Sequence, residues 1–320
     1  MKLKIVILKR KYFYFTLMIF LVILLCLFIL NFKNKISIST FNIMSKDKIL
    51  KTDLTGDAKE DYLYIKTEKQ KYYLQLNTNY GKSLFLEPIK KLGTLGYYYK
   101  YWPMRLNLKD INMDNIPEIF IQSSQNNKPI QHVFKWHINE FKDIYCSNNN
   151  ILGFIDFTNN KNPKLISGNF DKGEFNLNNY ILIGNNLKKF DYKYKKDYIG
   201  KDSMGNFIKF TENLSQNLKS KKDTIDKFTV KSNNLPISKF LFEINERVCD
   251  LSFQDAFFKD SKYDEKGNAT EITWILNFKG RSNEDKDLRN YTFSLLLNKS
   301  ENKNKNLKYK ISKISLLEVK

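Results

Sequence analysis

Three stretches of the chain share one order of polar and hydrophobic positions. Acidic or small polar side chains stand at alternate positions, and a run rich in apolar, β-branched and aromatic residues follows at once. The stretches are residues 53–65 (DLTGDAKEDYLYI), 110–121 (DINMDNIPEIFI) and 156–167 (DFTNNKNPKLIS). Each pattern predicts a polar loop followed by a β-strand. The three starts lie roughly 50 residues apart, a period that suits a repeated four-stranded unit.

The spacing of apolar residues divides the remainder of the chain. Residues 36–200 form the repeat region, where Asn and Gly separate further strand-like runs. Residues 201–235 change to helical spacing and then to a charged linker. Residues 236–320 predict a small α+β module, with one or two further sheet units that lack polar loops as the alternative. The predicted fold class is therefore mainly β.

The first 35 residues predict a membrane anchor. No charge occurs in residues 12–32, and at about 1.5 Å per residue this run is roughly 31 Å long, one bilayer core. Five basic residues precede the run, and Lys33 and Lys35 follow it. This balance predicts a single-pass plasma-membrane protein with a cytoplasmic amino terminus and an extracytoplasmic bulk. A cleaved signal peptide is the alternative, but residues 31–35 offer no suitable cleavage site.

The alternating oxygens of the first two loops are typical of ligands for a hard cation. Ca²⁺ takes about 6–8 oxygens from carboxylates, hydroxyls, amides and backbone carbonyls, and alternate residues of a tight loop can turn such oxygens toward one centre. The candidate metal ligands of the first loop are Asp53, Thr55, Asp57, the Lys59 carbonyl and Asp61. Those of the second loop are Asp110, Asn112, Asp114, the Ile116 carbonyl and Glu118.

The loops differ from an EF-hand and from one another. Tyr64 and Ile121 stand at the twelfth positions, where an EF-hand has a bidentate Glu, and a strand follows in place of a helix. The third loop closes on Lys164, whose ammonium excludes a cation, so we expect it to be ion-free. Two bound Ca²⁺ ions are therefore predicted. Because Asp, Asn, Thr and Gly are common turn formers, a purely structural role is the alternative.

These segments resemble the FG-GAP/VCBS-type repeat, whose blades are similar to those of integrin-α-like β-propellers. In that family a D-x-[DN]-x-D-G-x-x-D loop binds Ca²⁺ between the strands of a blade. The resemblance covers about residues 36–200 and implies β-propeller-like blades, although three copies are few for a closed propeller. The sixth loop position, usually Gly in the family, is here Ala58, Asn115 or Lys161. Asn tolerates a positive φ better than Ala, so weak binding is expected at the first loop.

The net charge of the chain indicates which partners it could attract. The formal net charge is +20, most of it beyond residue 35, which is enough to attract polyanions. A domain outside the membrane does not meet nucleic acid. The predicted partners are therefore the membrane, through residues 12–32, and an anionic envelope polymer, lipid headgroups or a protein ligand. Lysine-rich solvated faces without any polyanionic partner are the alternative.

Residues 96–104, GYYYKYWPM, form the densest aromatic segment of the chain. Such rings either stack on sugars or cover the sheet of a neighbouring unit. Strand aromatics more often belong to the core, so the second interpretation is favoured.

The sequence carries no recognisable motif of an enzyme. It has no G-x-S-x-G, H-E-x-x-H, phosphate-binding loop or dinucleotide fingerprint. Cys146 lies near His137 in the sequence, but no third group that would orient such a pair is apparent. Cys146 and Cys249 are too few for a disulfide framework, although one bridge between them stays open.

We therefore expect a non-enzymatic, membrane-anchored extracytoplasmic binding or scaffold protein. The alternative is a cell-envelope hydrolase or accessory factor that acts on wall glycans. An extracytoplasmic sensor would need a partner, because about 11 cytoplasmic residues are too few for a signalling domain.

Overall fold

The computed structural model describes residue 14 and residues 17–23, 42–43, 49–156, 159, 162–191, 199–219, 222–301 and 307–317. Its contacts separate two compact units, Met1–Thr40 and Phe41–Lys320. In the first unit, residues 17–23 are helical and exposed. Within the described residues, no helix has the length and apolar character needed to cross a membrane. Most of the predicted anchor, residues 12–32, lies outside the described residues.

The second unit is mainly β, which confirms the predicted fold class at that level. Its strands are β1 (Asn42–Ile43), β2 (Ile49–Thr52), β3 (Asp61–Glu68), β4 (Lys71–Asn77), β5 (Ser83–Phe85), β6 (Arg105–Lys109), β7 (Glu118–Gln125), β8 (Lys128–His137), β9 (Glu140–Ser147), β10 (Ile151–Ile155), β11 (Lys164–Asp171), β12 (Glu174–Ile183), β13 (Asn186–Phe190), β14 (Val248–Tyr263), β15 (Ala269–Ser282), β16 (Leu288–Glu301) and β17 (Leu307–Leu317). Its helices are α1 (Lys201–Glu212), α2 (Leu214–Lys219) and α3 (Asn234–Arg247).

Three four-stranded antiparallel meanders follow one another along the chain. The first meander is β2–β3–β4–β5, the second is β6–β7–β8–β9 and the third is β10–β11–β12–β13. Strand β1 adds to the second meander beside β6. The sheets built from the described residues are open, since none of them closes on itself. The chain thus repeats one sheet unit three times.

All three polar loops join the first two strands of a meander in the same register. The residue before each loop pairs with the residue that closes it, namely Thr52 with Asp61, Lys109 with Glu118 and Ile155 with Lys164. The loops therefore have equal lengths and equivalent positions. A slip of one residue would turn every buried side chain of the strand to the opposite face, so burial fixes this register.

The alternation of buried and exposed side chains along the strands determines which faces of the sheets pack together. Leu63 on β3 and Leu74 on β4 are completely buried, and they share a core with Leu106 of the second meander. A smaller cluster joins the second meander to the third, where the rings of Phe120 and Phe154 lie 4.7 Å apart. Each fully buried side chain of this kind contributes about 1.5–3 kcal/mol. Successive meanders are therefore held face to face by apolar contacts.

The third meander shares one sheet with the carboxy-terminal strands. β10 runs parallel to β14, with Ile151 beside Ala256, and the sheet order is β13-β12-β11-β10-β14-β15-β16-β17. The helices pack on this sheet through one large core, in which the Phe207 ring of α1 lies 6.0 Å from that of Phe293 on β16. The predicted boundary at residue 200 thus lies between two sequence segments that contribute strands to the same sheet.

Helical spacing of apolar residues accounts for the two longer helices. In α1, Phe207 and Phe210 are buried and the helix ends at Glu212. The single helix predicted for the start of residues 201–235 is thus divided in two, because α2 begins separately at Leu214. In α3, the buried side chains Ile237, Leu241 and Ile244 follow the i, i+4, i+7 spacing of one helical face.

A buried ion pair links the second meander to β14. Arg105 on β6 pairs with Asp255 on β14, and both side chains are almost fully buried. Trp102 Nε1 donates to Asp255 Oδ2 at 2.5 Å, and Asn277 Nδ2 donates to Asp255 Oδ1 at 3.1 Å. Burial lowers the pKa of Arg105 to about 9, against the opposing effect of Tyr72. Removing one partner of such a pair would leave a buried charge without compensation, which costs about 3–5 kcal/mol.

Candidate cation-binding loops

The carboxylate that opens the first loop orders the backbone of that loop. Asp53 Oδ1 accepts hydrogen bonds from the N–H groups of Thr55 (3.1 Å) and Gly56 (2.7 Å). Its Oδ2 accepts from the N–H of Ala58 at 2.8 Å. The carboxylate therefore faces loop N–H groups three, four and six positions into the motif.

The second loop repeats this arrangement with a different sequence. Asp110 Oδ1 accepts from the N–H groups of Asn112 (3.2 Å) and Met113 (2.6 Å). Its Oδ2 accepts from the N–H of Asn115 at 2.9 Å. The same three loop positions donate to the same carboxylate, so the two loops have one hydrogen-bond plan.

The closing carboxylates are buried and bind the second residue of their own loop. Asp61 Oδ2 accepts from the N–H of Leu54 at 2.9 Å, and Glu118 Oε2 accepts from the N–H of Ile111 at 3.0 Å. Asp61 is 0% exposed and Glu118 is 1% exposed. Asp61 Oδ2 also accepts from the hydroxyl of Thr55 at 3.1 Å. The start and the end of each loop are thereby joined at the core.

The middle carboxylates also occupy equivalent places. Asp57 Oδ1 accepts from the N–H of Lys59 at 3.0 Å, and Asp114 Oδ1 accepts from the N–H of Ile116 at 2.9 Å. Both carboxylates lie nearer the surface than the closing ones. The structure thus places the three carboxylates of each loop in equivalent positions, whereas the third-position side chains differ, since Thr55 contacts Asp61 and Asn112 contacts Asp114.

A donor from outside the loop completes each set, and here the loops differ. In the first loop Asn79 donates its side-chain amide to Asp57 Oδ2 at 2.5 Å and its backbone N–H to Asp61 Oδ1 at 3.1 Å. In the second loop the ammonium of Lys135 donates to Asp114 Oδ2 at 3.0 Å and to Glu118 Oε1 at 3.4 Å. Asn79 lies just after the third strand of the first meander and Lys135 lies on the third strand of the second, and no pattern in the loops indicates either residue.

The outer donors and burial shift the pKa values of these carboxyls. The hydrogen bond from Asn79 lowers the pKa of Asp57, which lies at the surface. Burial acts to raise the pKa of Asp114, but hydrogen bonds, chiefly from Lys135, outweigh it and the pKa is lowered. Burial raises the pKa of Glu118 to about 7, although the Ile111 N–H and Lys135 oppose this shift. Glu118 therefore titrates near neutral pH.

The left-handed backbone positions of the two loops also coincide. Gly56 and Met113 occupy the fourth position with φ of 84° and 62°. Ala58 and Asn115 occupy the sixth position with φ of 63° and 66°. A Cβ on Gly56 would lie 2.5 Å from Cδ1 of Ile116. Gly suits this position, because a φ of 84° favours Gly and any side chain here would have to displace that of Ile116 from the second loop.

The third loop retains the register but has a different charge. Asp156 donates its N–H to Asp260 Oδ2 at 2.7 Å, and Lys164 Nζ donates to Asn162 Oδ1 at 2.8 Å. Burial lowers the pKa of Lys164, against the opposing effect of Asp156. The other predicted positions, Thr158, Asn160 and Lys161, lie outside the described residues. The expectation that this loop is ion-free stays a prediction.

The first loop carries oxygen atoms of the types that a hard cation binds. Within the part of the chain that the structure describes, no three His, Cys, Asp or Glu side chains form a group that could hold a metal ion. The oxygens that lie close together are mixed, since the Thr55 hydroxyl contacts Asp61 and Asn79 joins Asp57 to Asp61. Ca²⁺ accepts such combinations of carboxylate, hydroxyl and carbonyl oxygens.

The cysteine near the histidines is not arranged for nucleophilic catalysis. Cys146 pairs across the sheet with His132, not with His137. The ring of His132 is buried, and its nitrogens lie 2.7 Å from Asp143 Oδ2 and 2.9 Å from the carbonyl oxygen of Thr94. Burial and then Asp143 raise the pKa of Cys146, which disfavours the thiolate. Cys146 and Cys249 are both free thiols, so the bridge that the sequence left open is not formed.

Two carboxyls with raised pKa values lie apart from each other, Asp260 on β14 and Glu118 at the start of β7. Burial raises the pKa of Asp260, beside the third loop, as it does that of Glu118 in the second. Neither residue lines either of the two cavities of about 620 Å³. A glycan hydrolase that used a pair of carboxyls in a cleft therefore gains no support from these two groups.

Comparisons with known proteins leave the assignment to the geometry. The chain matches no protein-family model, no curated protein and no solved structure.

Proposed function

We propose that this chain is a membrane-anchored extracytoplasmic binding or scaffold protein whose β-blade repeats are stabilised by Ca²⁺ at the first and second loops. The observation that carries the proposal is the repetition of one loop in two different sequences. Both loops place carboxylates at their opening, middle and closing positions, and both use the same N–H donors and the same left-handed positions.

The three meanders are interpreted as FG-GAP/VCBS-type blades of an open, β-propeller-like array. Their common register and the apolar packing of successive meanders support this interpretation. Adjacent blades place their loops side by side, as the contact between Ile116 and Gly56 indicates. Rigid blades would then present loops and sheet faces to a ligand.

In the first loop Asp53, Thr55, Asp57, the Lys59 carbonyl and Asp61 would hold the ion. When bound, Ca²⁺ would offset the repulsion among these carboxylates and join the opening and closing ends of the loop. In the second loop the corresponding groups are those of Asp110, Asn112, Asp114, Ile116 and Glu118. There an ion must first displace the ammonium of Lys135.

This difference in donors reverses the expected order of affinity. The strain of Ala58 at a positive φ is already present in the structure, so Ca²⁺ binding need not supply it. Displacing Lys135 from two carboxylates, by contrast, costs on the order of 1–2 kcal/mol during binding. We therefore propose that the first loop binds Ca²⁺ about tenfold more tightly than the second, since 1.4 kcal/mol corresponds to a factor of ten.

The proposed location rests on the uncharged run at residues 12–32 and the basic residues before it. Such a segment would hold the amino terminus in the cytoplasm and the meanders outside. The free Ca²⁺ outside a cell is high enough for loops of modest affinity, about 10⁻⁴–10⁻³ M.

Calorimetric titration of the full chain in detergent with Ca²⁺ tests the proposal. We expect two ions per chain, and Asp61→Asn should remove the tighter one. Asp264→Asn is the matched control, because Asp264 accepts loop N–H groups in the β14–β15 turn but lies outside the repeat. A stoichiometry of zero or three, or an equal effect of the control, would refute the proposal.

A further inference from the structure

The first meander has one buried face and one face that no other part of the described chain covers. Its inward side chains, such as Leu63 and Leu74, pack on the second meander. The outward side chains of β2, β3 and β4 remain exposed or half-exposed. We call the surface formed by Lys51, Tyr62, Tyr64, Lys66, Tyr73 and Gln75 the open face. Ile49 and Phe85, which pair with Tyr64 and Gln75, add two exposed apolar side chains to it.

Tyrosine rings and ammonium groups are paired on the open face. Lys51 Nζ lies 5.2 Å from the centre of the Tyr62 ring, and Lys66 Nζ lies 5.8 Å from that of Tyr64. Tyr73 is directly across from Lys66 in the sheet and is 39% exposed. Each ammonium lies over the ring that it contacts, so a ligand that covers the ring must move the ammonium to the ring edge, where it can contact an anionic group on the ligand.

Amide groups fill the space between the rings. Gln75 is across from Tyr64, accepts a hydrogen bond from Lys66 at 2.5 Å and donates to Asn77 (2.9 Å) and Ser83 (2.7 Å). These polar groups are exposed or half-buried. They can exchange their present partners for the hydroxyl groups of a ligand at little cost in desolvation.

The composition of the open face disfavours dry packing against another sheet. The faces that pack within this chain bury leucine, isoleucine and phenylalanine, such as Leu76 and Ile119. Burying Lys51, Lys66 and Gln75 in the same way would leave charges and amides without partners. A second copy of the chain is therefore a poor occupant of the open face.

A concave surface adjoins the open face. A cavity of about 620 Å³ lies between β3–β5 and the connection that follows β5, and Lys66, Tyr73, Phe85 and Glu68 contribute to its lining. Lysines and acids line this cavity together, namely Lys66, Lys71, Glu68 and Glu87, whereas Lys51 lies on β2 outside its lining. A polymer chain could therefore lie across the rings and continue into the cavity.

The other aromatic surface is less suited to stacking on a sugar. Tyr99 lies between Tyr97 and Tyr101, with ring centres 6.4 and 5.4 Å away and ring planes within 24° and 22° of its own. Both faces of the central ring are thus used inside the protein. Trp102 and Met104 are buried, which confirms the core interpretation for that half of the aromatic segment.

We propose that the open face binds an acidic polysaccharide whose sugar rings carry carboxylate groups. The C–H face of a sugar covers a tyrosine ring, the neighbouring ammonium meets the carboxylate, and Gln75 and Asn77 bond hydroxyl groups. A carboxylate on the sugar ring itself suits the short distance between each ring and its ammonium. This inference rests on the proposed function, because it requires the meanders to lie outside the membrane.

Calorimetry of the full chain in detergent with sodium alginate tests this inference. We expect alginate to bind, and neutral dextran and poly(glycerol phosphate) to bind at least tenfold more weakly. Tyr64→Ala with Tyr73→Ala should weaken alginate binding at least tenfold, and so should Lys51→Ala with Lys66→Ala. The second pair keeps the test valid if loss of the tyrosines prevents folding.

Two matched controls distinguish binding at the open face from non-specific attraction of alginate to a basic protein. Lys188→Ala with Lys189→Ala removes two exposed lysines of β13, and Phe242→Ala removes an exposed ring of α3. Neither should change alginate binding by more than about twofold. An equal loss in the lysine controls would overturn the proposal, as would unchanged binding in the open-face variants or stronger binding of either comparison polymer. A dimer held by the open face would also overturn it.

Calcium titration of the same protein without alginate, and alginate titration in EGTA, keep the two proposals distinguishable, because alginate itself binds Ca²⁺. Two bound ions in a chain that does not bind alginate would contradict only the open-face inference. A chain that binds alginate through the open face but binds no Ca²⁺ would contradict only the calcium proposal.

Discussion

The first and second loops have the same backbone and the same three carboxylate positions, but a different donor completes each loop. In the first loop the middle and closing carboxylates are joined by Asn79, whose amide and N–H groups are neutral. In the second loop they are joined by the ammonium of Lys135, which is a cation. The comparison separates the features that shape the loop from the feature that sets its charge.

The backbone conformation of each loop is determined by carboxylates within the loop itself. The opening carboxylate orders three N–H groups and the closing carboxylate orders a fourth, in two loops that share few residues. Charge is determined by the third strand of the meander or the turn after it, where Lys135 and Asn79 lie. One substitution outside a loop can therefore give it an internal cation or remove one without changing its backbone.

The largest expected effect distinguishes the two closing carboxylates. Asp61→Ala removes the acceptor of three donors, from Leu54, Thr55 and Asn79, and should lower the free energy of unfolding by about 3–4 kcal/mol. Glu118→Ala removes one N–H partner and one ammonium partner, so we expect about 2 kcal/mol. Urea unfolding of the full chain in detergent, without Ca²⁺, gives both values.

Asp61→Asn provides the control for this comparison. It keeps one acceptor oxygen and should lose about half as much stability as Asp61→Ala. If the two alanine variants lost the same stability, the outer donors would not distinguish the loops.

Exchanging the outer donors tests the comparison directly. Lys135→Met leaves Asp114 and Glu118 without their cation and should lower the free energy of unfolding by about 2 kcal/mol in EGTA. Ca²⁺ should restore most of that loss, because it binds the folded loop alone. In the first loop Asn79→Lys installs an ammonium and should weaken Ca²⁺ binding at least tenfold.

Lys142→Met is the matched control for the lysine. Its partner is Glu140, at 3.5 Å, and both side chains are about half exposed. An exposed pair of this kind contributes at most about 1 kcal/mol, and Ca²⁺ should not affect the variant. Equal responses of Lys135→Met and Lys142→Met to Ca²⁺ would show that the second loop holds no ion.

The buried glutamate of the second loop predicts a dependence on pH. The pKa of Glu118 is about 7 in the folded chain, against an ordinary value of 4.5, because burial disfavours the charged form. Between these two values the folded state binds more protons than the unfolded state, so stability falls as pH rises from 4.5 through 7. The full shift corresponds to roughly 3 kcal/mol, and relaxation of Lys135 toward the charge should leave about half of it.

Unfolding measured against pH for Glu118→Gln and for the original chain isolates this contribution. The difference between the two curves should change by on the order of 1–3 kcal/mol across that window and level off above it. Asp114 contributes with the opposite sign, because its lowered pKa stabilises the fold above its ordinary range and is lost only in acid. A flat difference curve would mean that Glu118 is ionised in the fold.

Local pattern predicted the loops and strands well, because their causes are local. Oxygen-bearing residues at alternate positions order their own backbone, and the alternation of Leu63 and Ile65 fixes the face that β3 buries. In the same way the apolar spacing around Phe207 predicted α1. Within residues 236–320, where an α+β module was predicted, α3 ends at Arg247 and β14 begins at Val248.

Non-local pairing escaped the sequence analysis. Lys135 contacts Glu118 because β7 and β8 pair in one register, and no feature of the loop itself indicates that register. The parallel pairing of β10 with β14 joins residues about a hundred positions apart. Their contact depends on the whole fold, so neither periodicity nor turn chemistry could reveal it.

The smallest expected effect concerns the sixth loop position, which separates backbone strain from charge. Ala58 has a φ of 63° and Asn115 a φ of 66°, but Asn tolerates this region better than Ala. Ala58→Gly should therefore raise the free energy of unfolding by about 0.5–1 kcal/mol, whereas Asn115→Gly should change it by no more than a few tenths. Because both N–H groups donate to the opening carboxylate, the hydrogen bonds are unchanged in either variant.

Differential scanning calorimetry in EGTA compares the stabilities of the two variants. If the strain is already present without the ion, the Ca²⁺ affinity of the first loop should stay within about twofold in Ala58→Gly. A clear rise in that affinity with Ala58→Gly would instead mean that ion binding, and not the folding of the loop, forces Ala58 into the left-handed region.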